Sequence, residues 1–325
     1  MVCTSKKTIA KFSAFVILIG LLANTFAGCS IVNPSQGQKA APGPSSSFRR
    51  PRVTGRIDSK DITESSGIAA SKCQPGVFWT HNDSDDGPYI FAINEKGDNL
   101  GTWRVKDSEN LDWEDIAEFR DTSGKCSIYI GEIGDNDVKR PVHAVYRVAE
   151  PTVGDASTGT RIKDALDTES AEQMKFSYPD HNQNAETLMV HPSTGDIYVL
   201  TKRLEGPSGI YKLKPQFGSA NVETAEKLGE LSVPNVPNGY LTGGDIAPDG
   251  KHVAVCDYTA AYELTLPADA AGFDAIWKQT PETIDRGDLE QGEAVGYTTD
   301  GNSLVLTSEK KHPPVIKVER QKPER

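Results

Sequence analysis

The stretch Glu114-Asp115-Ile116-Ala117, with the turn at Gly124 and the run Ser127-Ile128-Tyr129-Ile130 behind it, decides the reading of this chain because its pattern occurs five times. The counterparts open at Ser66-Gly67-Ile68-Ala69, Glu186-Thr187-Leu188-Met189, Gly244-Asp245-Ile246-Ala247 and Glu293-Ala294-Val295-Gly296. Each leads to a glycine turn, at Gly76, Gly195, Gly250 or Gly301, and then to a second apolar run of strand length. Self-similarity at this scale marks a repeat architecture, and each unit here holds strands only. The anchors Ile68, Ile116, Leu188, Ile246 and Val295 stand 48, 72, 58 and 49 residues apart. That suits a four-stranded antiparallel blade of about 40 to 50 residues. The expected fold is all-β, a β-propeller of five four-stranded blades.

The fifth blade has only three strands before the chain ends, the last at Val315-Ile316-Lys317-Val318. The N-terminal stretch Arg52-Val53-Thr54-Gly55-Arg56-Ile57 can supply the fourth, joining the two ends of the chain and leaving fewer unpaired edges. The long second interval comes from the polar stretch between Pro151 and Glu172, which has no apolar alternation and reads as an inserted loop. A six-bladed ring would need a blade hidden in that insertion. A β-sandwich would not repeat an acid at the start of successive strands.

The first 28 residues read as an export signal: Lys6, Lys7 and Lys11 precede the apolar run from Phe12 to Ala23, and Ala27-Gly28 stand just before Cys29. Phe26-Ala27-Gly28-Cys29-Ser30 resembles the bacterial lipoprotein cleavage box, departing from it at Phe26. The resemblance implies a lipid on Cys29 and a protein held to a membrane of the bacterial cell envelope; an uncleaved anchor or plain secretion are the alternatives. Residues 29–50 then form a flexible tether, 51–320 the propeller and 321–325 a polar tail. The leader carries three of the 35 basic residues and none of the 46 acidic ones, so the mature chain has a net charge of −14. Such a charge repels nucleic acid and suits cations. A monomer is the expected state.

Export also places the domain where disulfides persist. Cys73 and Cys126 occupy equivalent turns of neighbouring blades, so a bridge between them is expected, with unpaired thiols as the alternative. Cys256 lies within a strand and reads as a buried thiol.

The first strand of each blade begins, and the second ends, on one face, because neighbours are antiparallel. Glu64, Ser66, Glu114, Asp115, Glu186, Asp245 and Glu293 therefore point toward one axial mouth. So do the second-strand exits, which carry His81-Asn82-Asp83, Glu132 to Asn136, Lys202-Arg203, Asp257-Tyr258 and Glu309-Lys310. Converging carboxylates repel one another unless a cation sits between them, and Ca²⁺ tolerates six to eight irregular oxygen ligands. Zinc does not fit, since the six histidines show no paired spacing. The stretch His81 to Gly87 looks like a calcium loop but lacks the bidentate Glu beyond its glycine, and reads as a strand connection capped by its own Asp and Asn.

Trp113-Glu114-Asp115-Ile116-Ala117 is similar to a strand of the calcium-activated nucleotidases, the apyrases, which are five-bladed propellers with an axial Ca²⁺. Ser65 to Ile68, Glu186 to Leu188, Val199 to Arg203, Gly243 to Asp245 and Gly292 to Val295 resemble that family in the same order. The resemblance implies Ser66, Glu114, Glu186 and Glu293 as Ca²⁺ ligands, and it departs in the fourth blade, where Gly244 and Asp245 stand in place of a serine. Trp79 to Asp83, Asp112 to Ala117 and Ile133 to Asn136 resemble more closely a group of bacterial exported propeller lipoproteins with no established activity. The expected function is a Ca²⁺-dependent hydrolase of a phosphate ester, an anhydride or another small anionic substrate. Lys202, Arg203 and Lys310 would bind the substrate's oxygens, and Asp115 or Asp245 would serve as base. Two alternatives stand beside it: a non-catalytic module binding a glycan, peptide or protein around a structural Ca²⁺, and a lactonase using His81.

Overall fold

A computed structural model of the protein describes residues 47–84 and 86–321. The signal segment 1–28, Cys29, nearly all of the tether and the tail beyond Gln321 lie outside the described residues.

Five sheets are arranged as the blades of a propeller. Their innermost strands are Ser65–Ala70, Trp113–Arg120, Ala185–Val190, Gly243–Ile246 and Gly292–Tyr297, in blades one to five. These strands are buried along most or all of their length, because each packs against the next around the axis. Gly67 shows how tightly: a Cβ there would lie 2.6 Å from an Asp115 carboxylate oxygen and 2.7 Å from the Ile116 nitrogen in the next blade.

The ring closes as the sequence predicts. Arg52–Arg56 is the outermost strand of blade five and runs antiparallel to Pro314–Glu319, with Arg52 opposite Lys317 and Arg56 opposite Pro314. Four residues assigned to the tether belong to the propeller: Phe48 bridges to Arg320 and is buried in the layer between blades four and five. Register fixes the direction of entry. Pro314 lies at the same end of its blade as Gly292, so Arg56 is on the mouth side and Arg52, with Phe48 before it, is on the opposite face.

The insertion differs from the expected loop. Leu166–Ser170 is a fifth strand of blade one, pairing in parallel with Asn99–Lys106, and Glu172–Ser177 is the fourth strand of blade two. Only Thr168 of Leu166–Ser170 is buried, so this edge strand needs no apolar alternation and leaves none in the sequence. The preceding polar turn is tied to the same blade, with Ser157 Oγ donating to Leu100 O and the Thr102 hydroxyl to Thr160 O. Blade two likewise gains a short parallel fifth strand, Val222–Thr224.

The core is a series of inter-blade layers. Between blades one and two, Trp79, Trp103, Trp113, Ile116, Ile130 and Tyr146 pack together. Two carboxylates stitch the inner strands as well. Asp115 accepts hydrogen bonds from the backbone nitrogens of Ile116 (2.8 Å), Leu188 (2.9 Å) and Gly244 (3.2 Å), which belong to three blades. Asp245 accepts from Ile246 and Tyr297 nitrogens, at 2.8 and 2.9 Å.

Candidate functional site at the propeller mouth

The inner strands of blades one, two, three and five each slip by one residue against their neighbour, and the residue left over is in turn Ser66, Glu114, Glu186 and Glu293. A bulge of this kind breaks the alternation and re-aims a side chain, which is why bulges gather beside functional sites. Blade four pairs without interruption from Gly243 to Ile246. It is also the blade where the sequence pattern departs.

The acidic members meet at the mouth. Glu114, Glu186 and Glu293 are 3%, 4% and 3% exposed. One oxygen each from Asp83, Asp112 and Glu114 lie within 4.8 Å of one another. Gly134 makes room for them: a Cβ at this position would stand 2.0 Å from a Glu114 oxygen and 2.6 Å from the Asp112 carboxylate. Lys202 enters from blade three, with Nζ 2.5 Å from Glu186 and donating to the Tyr258 hydroxyl at 3.2 Å. Its ammonium also lies over the rings of Tyr240 and Tyr258, 4.7 and 5.1 Å from their centres. Gln291 donates to Glu293 at 3.3 Å.

The electrostatics follow from this crowding. Burial, reinforced by Asp112, Glu293 and Glu64, pushes the Asp83 carboxyl up to about 7 against a hydrogen bond from the Ser84 nitrogen. Burial, then Glu186, Asp83 and Asp112, raise Glu114 well above the usual carboxylate range. Glu186 is pushed up to about 8 by burial, with Lys202 opposing. Glu309, on the rim, reaches about 8 through burial and a shared hydrogen bond with Glu293. Burial weakens Lys202's hold on its proton, but Glu186 and Tyr258 reverse this and leave it above an ordinary lysine. The carboxyl groups outnumber the positive charge among them.

Other expected site residues are placed elsewhere. Ser66 donates its hydroxyl to the Glu114 carbonyl at 2.7 Å, a link between blades one and two. Asp115 and Asp245 have both oxygens engaged by backbone N–H groups. Arg203 turns away to Gln183 (3.0 Å), Pro207 O (3.4 Å) and Glu230 (3.6 Å). Lys310 is exposed on the rim beside Glu309. His81 is fully buried, edge-on to Trp113 at 5.8 Å, and burial lowers its pKa to about 4 against the pull of the Asn82 carbonyl. On the opposite face, Cys73 and Cys126 are bonded, with Cα atoms 6.1 Å apart, and Cys256 is a buried thiol. Asp83, Glu309 and Tyr258 stand among the second-strand exits; nothing in the sequence ranks them above their neighbours there. Asp112 precedes the bulge of blade two and carries no signal of its own.

No protein family matches this chain, and no curated protein does. Solved structures with similar shape include a gluconolactonase of Xanthomonas campestris, at 12% identity and a TM-score of 0.45, covering 87% of this chain and 99% of that one. The WD40 repeats of RRP9 match at 9% identity and a TM-score of 0.44, over 86% of this chain and 99% of theirs. U3-55K matches at 10% and 0.40, over 85% and 100%. The propeller assignment rests on the topology of the five sheets, and the site on its own geometry.

Proposed function

We propose that the mouth holds a hard divalent cation, Ca²⁺, and that the protein is a cation-dependent hydrolase of a small ester or anhydride. The observation that carries the reading is the meeting of Asp83, Asp112 and Glu114 oxygens within 4.8 Å, with Glu186 and Glu293 beside them on bulges. All-oxygen, carboxylate-rich donors suit Ca²⁺ and are poor ligands for softer metals. When bound, the cation supplies a Lewis acid that stabilises charge gathering on a substrate oxygen. Lys202 Nζ and the Tyr258 hydroxyl, which meet beside Glu186, would donate hydrogen bonds to that oxygen. A proton leaving the attacking water would pass to a carboxylate of the cluster, since Asp115 and Asp245 are committed to backbone nitrogens.

The non-catalytic reading has one observation in its favour: Arg203 and Lys310 do not join Lys202 in the mouth. Titration of the purified propeller with Ca²⁺, followed by a panel of esters and anhydrides with and without the ion, separates the two. Asp83→Asn and Glu114→Gln should each weaken Ca²⁺ uptake and lose turnover. Ca²⁺ uptake without turnover on any substrate leaves the binding module, and no uptake rejects both. The bacterial envelope location is part of the same proposal and is tested by Cys29→Ser, which should release the protein from membranes; unchanged attachment with normal processing would reject a lipid on Cys29.

A further inference from the structure

The Cys73–Cys126 bridge ties blades one and two on the face away from the mouth, and its two sulfurs are unequal. Cys73 is exposed, in the turn between the first two strands of blade one, whereas Cys126, 5% exposed, opens the second strand of blade two. A dissolved thiol can reach the first and not the second. A third group stands beside the pair: a carboxylate oxygen of Glu150 lies within 4.8 Å of both sulfurs. Its backbone is anchored there, the Glu150 nitrogen donating to Cys126 O at 3.0 Å. Its side chain is anchored too, with Oε1 accepting from Ser71 Oγ (2.5 Å), Gln74 Nε2 (2.8 Å) and the Trp79 indole nitrogen (2.9 Å). Ser71 Oγ in turn accepts from the Cys73 and Gln74 nitrogens, at 3.2 and 2.7 Å, which ties the acid to the Cys73 turn. Three donors on one oxygen favour a carboxylate that keeps its charge. Glu118, which shares a hydrogen bond with Glu150, is pushed up to about 9 by burial and by Glu150 itself, so the proton of the pair stays on Glu118.

We propose that Glu150 protects the bridge from thiols by making Cys126 a poor leaving group. In the exchange an external thiolate bonds to the Cys73 sulfur, the bond between the two cysteines breaks, and its electron pair goes to the Cys126 sulfur. That sulfur is buried and lies beside the Glu150 carboxylate, so negative charge gathers where burial and a like charge both oppose it. A thiol whose pKa is raised in this way leaves slowly. With a dithiol as reductant, its second thiolate then attacks the mixed disulfide, expels the Cys73 sulfur and closes its own ring. The protein gains two electrons and two protons, and the dithiol is oxidised. Lys72, Arg120, Asp121 and Lys125 are the other charged groups close to the two cysteines along the chain. The Lys72 ammonium donates to the Glu118 carbonyl, and Arg120 and Lys125 are exposed. All four stay in place when Glu150 alone is replaced, so that replacement isolates the carboxylate.

The test is the rate at which dithiothreitol reduces the folded protein, read by alkylating the freed thiols and weighing the product. Glu150→Gln, and the double variant that also carries Glu118→Gln, should react roughly threefold faster or more, as expected when a neighbouring charge moves a pKa by about a unit and half of that reaches the rate. Glu118→Gln alone copies the protonated acid and should keep the unsubstituted rate. Gln74→Ala loosens the same turn without removing the charge and should keep it as well. Glutathione, a monothiol, should be trapped as a mixed disulfide on Cys73. Unchanged rates in both Glu150 variants overturn the proposal. So does an equal acceleration by Glu118→Gln or Gln74→Ala, which would show slack in the turn in place of charge, and so does glutathione found on Cys126.

Discussion

Replacing Asp115 by Asn should cost the fold about 2–5 kcal/mol. Three backbone nitrogens converge on this side chain: Oδ1 accepts from Ile116, and Oδ2 from both Leu188 and Gly244. The amide oxygen of Asn can keep the Leu188 and Gly244 bonds, but its NH₂ then faces the Ile116 N–H, and two donors meet in a site that is 1% exposed. An unpaired buried polar group costs roughly 1–3 kcal/mol, and the NH₂ suffers the same loss as the nitrogen it confronts. For a domain of this size each kcal/mol moves Tm by roughly 2–4 °C, so the variant should melt about 4–20 °C lower. Asp245→Asn should lose less, because that carboxylate serves two nitrogens and joins two blades. Thermal melts followed by near-ultraviolet circular dichroism measure both. A fall for Asp115→Asn of less than about 1 kcal/mol, or one no larger than that of Asp269→Asn in an exposed turn, would refute the stitching role.

Gly134→Ala should weaken Ca²⁺ uptake while largely sparing Tm, because its Cβ would meet the Glu114 and Asp112 carboxylates; unchanged calorimetric affinity would exclude these acids as ligands. Glu118, on the far face, has its carboxyl raised to about 9 by burial and by Glu150, against Lys72. A raised carboxyl pKa means the folded state holds the proton more tightly, so this contribution is complete below about pH 4.5 and is lost as pH climbs through about 9. Glu118→Gln should flatten the fall of Tm across that window relative to the unsubstituted protein, and parallel curves would disprove the shift. Breaking the Cys73–Cys126 bridge, which spans 53 residues, should cost about 4 kcal/mol in the chain-entropy account, read as a lower urea midpoint for the Cys73→Ser, Cys126→Ser double variant. An unchanged midpoint would show that the bridge carries no stability.

The blade count and the closing strand were legible because an anchor such as Ile68 or Ile116 must sit in a buried inner strand wherever the ring repeats, and burial writes itself as a repeated apolar run. Leu166–Ser170 was not legible, since an edge strand with one buried residue has no pattern to show. At the site, the bulge residues Glu114, Glu186 and Glu293 could be read, because one extra residue at a fixed point of each inner strand recurs as one acid at a fixed point of the repeat. The turning of Arg203 toward Gln183 and Glu230 could not, because neighbours on the chain share an address but not a direction. Asp115 and Asp245 misled for a related reason: an acid one or two residues along the inner strand looks like part of the mouth, yet its side chain reaches across to the next inner strand's nitrogens.

The closing strand also settles where a pull on the chain would act. The described residues ahead of Arg52, from Ser47 on, lie on the face away from the mouth, where Phe48 bridges to Arg320 and the Arg49 nitrogen donates to Glu319 O at 2.8 Å. A force drawn downward from Ser47 would run along the strand Arg52–Arg56 and load its hydrogen bonds to Pro314–Glu319 together, in shear, instead of peeling them one by one. A pull applied at Ser47 therefore meets the closing strand along its mechanically stronger direction.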